Sequence, residues 1–295
     1  MHQLRHGAAR ARGRAGQAEG PRLRGRARAP GDRLTDVPRS KTAKHRAKPR
    51  SRKRVSGHVR TPHKSTYVLV HGAWHGGWCW KKVVPALRAA GHEVYAPTLT
   101  GLGERAHLAN PAIDLATHIA DVVNLLEAEE LDKVVLVGHS YGGMVVTGVA
   151  DRAASRLRRV VYLDAFLPEN GKCLLDYLHP DRRTLINQGQ IGGFVDPLPL
   201  AIFGVTEPQD VAWATRHEMR QSYRTFAQPV HFTGDGGASL KRTYVHCTNP
   251  PTGSFDQFAA RLRDDPAWKY YELATGHDCM ITDPKSVIRI LLENA

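Results

Sequence analysis

Apolar and polar positions form short alternating blocks from about residue 65 onward. Tyr67-Val-Leu-Val70 is a continuous apolar run, the mark of a buried strand. A Gly-rich loop, His71 to Trp78, follows it. Trp80 to Ala90 carries Val83, Val84 and Leu87 at helical spacing and stops at Gly91, a natural helix end. Glu93-Val-Tyr-Ala96 reads as the next strand, ended by Pro97. From Leu115 to Glu129, Ile119, Val122, Val123 and Leu126 share one face of an amphipathic helix. Val134 to Val137 is a β-branched-rich strand, Met144 to Ala150 an apolar helix, and Val160 to Leu163 another strand. Between Phe166 and about Ser239 this rhythm is lost, while Gly, Pro and aromatic residues increase. That change predicts an inserted cap over about residues 166–240. Arg242–His246 and Tyr270–Leu273 restore the strand pattern, and Pro284–Glu293 closes the chain as a helix with proline at its start. Strands alternating with helices predict an α/β domain: a mostly parallel sheet flanked by helices, spanning residues 65–295.

Charge divides the chain differently. The net charge is +14, yet residues 1–64 hold 20 Lys+Arg against 3 Asp+Glu, so the rest carries about −3. The basic stretch has almost no large apolar residues and cannot bury enough surface to offset its ordering entropy. It is expected to be a disordered N-terminal extension, with a functionless, misassigned start as the simplest origin. It lacks the apolar segment of a secretory signal. Such a tail could touch phosphates non-specifically. It has no interleaved aromatics, so nucleic acid is not an expected partner. Cys79, Cys173, Cys247 and Cys279 show no Cys-x-x-Cys pairing and no zinc-like spacing with histidine. Reduced thiols suggest a cytoplasmic protein without metal. No run approaches the ~18 apolar residues of a membrane span.

The chemistry centres on Gly138-His-Ser-Tyr-Gly142. G-x-S-x-G between a strand and a helix is the pattern of a nucleophile elbow, which presents Ser140 at the carboxyl end of a sheet. A serine hydroxyl needs a base. His277 follows the last strand, at the same sheet edge, and Gly276 frees the backbone to aim its ring. The base needs a carboxylate to set its tautomer. Asp164, at the end of the strand after the nucleophile's helix, is favoured. Asp256, beyond the strand Arg242–His246, is the alternative. An oxyanion needs two N–H donors. Tyr141 supplies one from the elbow, and Ala73 or Trp74, after the first strand, the other. Trp74, His75, Phe166 and Trp213 are candidates to line an apolar pocket beneath the cap. The Gly-rich loop His71–Trp78 matches neither phosphate-binding glycine pattern.

These residues resemble an α/β-hydrolase of the branch that holds bacterial carboxylesterases, plant methylesterases and hydroxynitrile lyases. The resemblance rests on Leu69-Val-His-Gly-Ala-Trp-His-Gly-Gly-Trp-Cys-Trp80, Ala89-Ala-Gly-His-Glu-Val94, Gly138-His-Ser-Tyr-Gly-Gly143 and Gly276-His277. It spans residues 66–295 and none of the basic stretch. It implies the α/β-hydrolase fold and ester hydrolysis through an acyl-enzyme, on a small or aromatic ester and without a cofactor. Lactone hydrolysis and a ligand receptor on the same scaffold are the alternatives. A homodimer is left open. The methylesterases carry an acid where Pro250 falls here, and the lyases a lysine where Asp278 stands. The second departure argues against cyanide chemistry.

Overall fold

The computed structural model describes residues 64–295. The expected disordered extension lies outside the described residues, save Lys64. The first apolar run forms strand β1 (Thr66–Val70), and the next three strands are β2 (Glu93–Tyr95), β3 (Val134–His139) and β4 (Leu157–Leu163). The chain then leaves the sheet. Three two-residue strands, β5 (Gln190–Ile191), β6 (Phe194–Val195) and β7 (Gln221–Ser222), form a small antiparallel sheet in the insertion. The main sheet resumes with β8 (Lys241–Cys247) and β9 (Trp268–Leu273). Its order is β2-β1-β3-β4-β8-β9, and every neighbouring pair is parallel.

Among the described residues, four helices follow the blocks read above and the others do not. In chain order the helices are α1 (Val84–Ala89), α2 (Leu115–Ala128), α3 (Gly142–Ala153), the insertion's α4 (Pro180–Gln188), α5 (Pro208–Thr215) and α6 (Arg224–Ala227), then α7 (Asp256–Leu262), α8 (Cys279–Thr282) and α9 (Pro284–Glu293). The Trp80–Ala90 block is broken: a 3-10 turn over Gly77–Lys82 precedes α1. Proline at position 85 reads the helix start there, because proline tolerates only the first turn. Asp114 caps α2 by accepting from the Thr117 N–H at 3.0 Å.

The core lies on both sheet faces. Val68, Leu136 and Val160 belong to one buried cluster, and Tyr67, Leu69, Val135, Val137 and Val161 to the other. Strand period two sends neighbours to opposite faces, so an all-apolar β3 is what a doubly covered parallel strand requires. β1 has its sequence neighbours β2 and β3 on opposite sides. Chain direction therefore diverges there, and the loops leaving the carboxyl ends of β1 and β3 open a crevice, the usual place for a ligand.

The elbow glycines are forced by close approach. A Cβ at Gly138 would lie 2.7 Å from the Gly142 carbonyl oxygen, and one at Gly143 would overlap the Phe166 carbonyl. Gly143→Ala must therefore push α3 off the β4 loop. It should cost at least about 1–3 kcal/mol, the range of overpacked cores. Chemical denaturation would read this as a lower midpoint; an unchanged midpoint would contradict the packing.

Candidate active site

Five loops at the carboxyl edge of the sheet converge on one cavity of about 550 Å³, part of it open to solvent. Ser140 follows β3 directly and has φ 55°. Asp164, after β4, has φ 44°, and Trp74, after β1, has φ 62°. Left-handed backbone at bulky residues is strained and needs support from its surroundings. Here the support is explicit. The Ser140 carbonyl accepts from the Phe166 N–H at 3.1 Å, and the Asp164 N–H donates to the Val245 carbonyl at 2.7 Å. The Trp74 carbonyl accepts from the Met219 N–H at 2.9 Å.

His277 is buried, in the loop between β9 and α8. Its Nδ1 lies 2.6 Å from Asp164 Oδ2, while Asp164 Oδ1 accepts from the Cys247 N–H at 3.0 Å. The ring stacks on Phe255, with centroids 4.8 Å apart and planes 10° apart, and Phe203 and His139 flank it. Asp256, the alternative carboxylate, binds His246 Nε2 at 3.0 Å instead and is exposed. The Ser140 hydroxyl makes no hydrogen bond among the described residues and borders the cavity with His277.

The backbone N–H groups of Ala73 and Tyr141 donate to no acceptor among the described residues. The Trp74 N–H does: it donates to Gln221 Oε1 at 2.8 Å, which corrects the expectation that it is free for an oxyanion. Gln221 thus fixes a loop of the cavity from 147 positions away, a contact that nothing in the sequence signalled. Tyr141 is anchored from below, its hydroxyl 2.8 Å from His118 Nδ1.

Trp74, His75 and Phe166 line the cavity, and Trp213 does not. It packs edge-on against Trp78, 5.2 Å between centroids, on the far side of His75. The insertion and the loop before α7 supply lining residues that escaped the sequence reading: Leu178, Arg182, Ile186, Phe203, Ser254 and Phe255. Arg182 and Ile186, four apart, share a face of α4, whereas Leu178 stands in the extended segment before it.

Beside the cavity lies a buried charge cluster. His75 Nε2 sits 3.5 Å from Asp278 Oδ2, and His75 Nδ1 donates to the Ala73 carbonyl at 2.6 Å. Burial alone would lower His75, but the Asp278 charge and these hydrogen bonds prevail and raise it to about 9. Burial would likewise raise Asp278, yet the His75 charge holds it down to about 2. Glu218, desolvated nearby, is pushed up to about 7. His139, beneath the elbow, is held well below 6.5 by burial and by His277, and its Nε2 donates to the His277 carbonyl at 3.0 Å. Among the described residues, His139, His277 and Asp278 are the group whose donor atoms, within 4.8 Å of one another, could together hold a metal ion.

The ion pair gives a pH prediction. A histidine raised from 6.5 to about 9 contributes stability that is complete below pH 6.5 and lost as pH rises through 9. Glu218 acts in the same direction between pH 4.5 and 7, because the folded state holds a proton that the unfolded chain releases. The thermal midpoint should therefore fall between pH 6.5 and 9. Asp278→Asn should flatten that fall. A wild-type midpoint constant over this range would rule out the pair.

Comparison with known proteins bears on the same region. The model of the alpha/beta hydrolase family matches residues 67–290. The chain belongs to the α/β-hydrolase family. It is 42% identical over 235 residues to a carbendazim hydrolyzing esterase of Nocardioides sp. (strain SG-4G), covering 76% of this chain and 96% of that one. It is 30% identical over 251 residues to salicylic acid-binding protein 2 of Nicotiana tabacum, covering 78% and 96%. Among solved structures, an extracellular alpha/beta-hydrolase from a Paenibacillus species superposes with a TM-score of 0.68 at 22% identity, over 78% of this chain and 98% of that one. This α/β-hydrolase is therefore an enzyme of the carboxylesterase type. The cytoplasmic location expected from its thiols needs correction. The Paenibacillus hydrolase of the same fold is extracellular, and unpaired cysteines in such a fold do not fix the compartment. No helix among the described residues is long and apolar enough to cross a membrane.

Proposed function

We propose that this α/β-hydrolase cleaves carboxylic esters through an acyl-enzyme on Ser140, with His277 as base and Asp164 as the acid. The observation that carries the reading is the 2.6 Å contact of His277 Nδ1 with Asp164, beside a cavity that Ser140 borders. Asp164 keeps the proton on Nδ1, so Nε2 is free to accept one from the serine hydroxyl. Ser140 attacks the ester carbonyl, and the developing oxyanion meets the N–H groups of Ala73 and Tyr141. His277 then returns the proton to the leaving alcohol. Water repeats the sequence on the acyl-enzyme and releases the acid.

The apolar lining by Trp74, Phe166, Phe203 and Phe255 suits small or aromatic acyl groups. A lactone would enter the same steps, its alcohol staying attached to the acyl chain. A receptor role would leave the reaction unfinished. Every group in the mechanism comes from residues 73–277 of one chain, so it requires neither a homodimer nor the basic extension bound to nucleic acid.

Incubation with a p-nitrophenyl ester, followed by acid quench and peptide mass spectrometry, tests the reading. A burst of p-nitrophenol with the acyl mass on the Ser140 peptide is expected. Turnover with the acyl group elsewhere would reject it, and tight binding without burst or turnover would favour the receptor.

A further inference from the structure

The cavity over Ser140 is apolar at its insertion side except for one cation. Arg182 lies on α4, one helical turn before Ile186, Leu178 stands in the extended segment just before the helix, and all three line the cavity. Its Nη1 donates to Ser254 Oγ at 3.3 Å, and Ser254 lines the cavity too. No carboxylate lies within ion-pair distance of Arg182 among the described residues. Its neighbour Asp181 instead approaches His179 Nδ1 at 3.4 Å. Burial lowers the Arg182 pKa with no negative neighbour to oppose it, but a guanidinium stays charged in proteins.

A guanidinium offers five N–H donors in a planar fork that matches a carboxylate. One protein hydroxyl occupies one of them. The rest meet no protein acceptor among the described residues and stay open to one that enters the cavity lined by Leu178, Ile186 and Phe255. The other charges at the cavity do not serve this end: Asp278 is engaged with His75 and lies beside the catalytic loop.

We propose that Arg182 is a specificity-determining residue that receives a carboxylate carried by the substrate apart from its reacting ester, so that the substrate class is esters bearing a free carboxylate. This inference rests on the esterase reading of the same cavity.

The test uses matched aryl esters: p-nitrophenyl butyrate, mono-p-nitrophenyl glutarate with the carboxylate on the acyl side, and 4-acetoxybenzoate with it on the leaving group. The quantity read is kcat/KM for each carboxylate ester relative to the neutral ester, which cancels any loss of folded protein. In Arg182→Met that ratio should fall ~10–100-fold for at least one carboxylate ester, the worth of a charge-assisted hydrogen bond. Arg182→Lys should restore part of it, and Arg182→Glu should lower it further. Ratios unchanged for both carboxylate esters in Arg182→Met would overturn the proposal. A second arm measures glutarate binding to Ser140→Ala by calorimetry. Adding Arg182→Met should weaken it at least tenfold. No weakening would overturn the carboxylate site even if ester hydrolysis through Ser140 holds. Conversely, hydrolysis surviving in Ser140→Ala with glutarate binding still dependent on Arg182 would sink only the mechanism.

Discussion

Ser140→Ala should lower kcat for ester hydrolysis by roughly 10⁴- to 10⁶-fold, the cost of removing a triad nucleophile. The substitution removes one hydroxyl from a side chain that makes no hydrogen bond among the described residues. Backbone support through the Phe166 N–H and the Leu163 carbonyl does not involve that hydroxyl. The fold should therefore persist, with KM and ligand binding little changed, so that the loss appears in the chemical step. What survives is the contribution of the Ala73 and Tyr141 donors and of substrate positioning. Steady-state kinetics on p-nitrophenyl butyrate measure this. A kcat within tenfold of wild type would remove Ser140 from the mechanism.

Asp164→Asn should lower kcat by roughly 10⁴-fold, although the side chain keeps its size. The reason is tautomeric. One carboxylate oxygen accepts from the Cys247 N–H and the other faces His277 Nδ1. In asparagine the single oxygen satisfies Cys247, which turns the amide NH₂ toward Nδ1. Nδ1 must then accept, the ring proton moves to Nε2, and the nitrogen beside the serine can no longer act as base. Asp256→Asn is the contrasting substitution. Asp256 pairs with His246, away from His277, so kcat should stay within about threefold. Equal losses in the two variants would show that the carboxylate assignment is wrong.

The two carboxylates also show where sequence reading ran out. Both follow a strand and both are compatible with the pattern. The choice between them depends on pairing: β4 lies between β3 and β8, which sets Asp164 beside the Cys247 amide. No local pattern encodes that neighbour. The same limit applies to Trp74. Its carbonyl and its N–H are held by Met219 and Gln221, which the insertion brings over the first loop. Trp213 failed as a lining residue for a related reason. An aromatic in the insertion packs as well against Trp78 as against a ligand, and hydrophobicity does not distinguish the two.

By itself the sequence determined the α/β-hydrolase architecture with an inserted cap and the strand–turn–helix around Ser140. These are written in local patterns: strand period, helical spacing, and glycines where backbones nearly touch. Tertiary structure alone decided which carboxylate meets His277, which loop N–H stays free, and that Arg182 faces an apolar cavity without an acid. Those outcomes are contacts across 72 to 147 positions. Side-chain chemistry supplies the groups, but only the packed sheet and its cap bring them within hydrogen-bond reach.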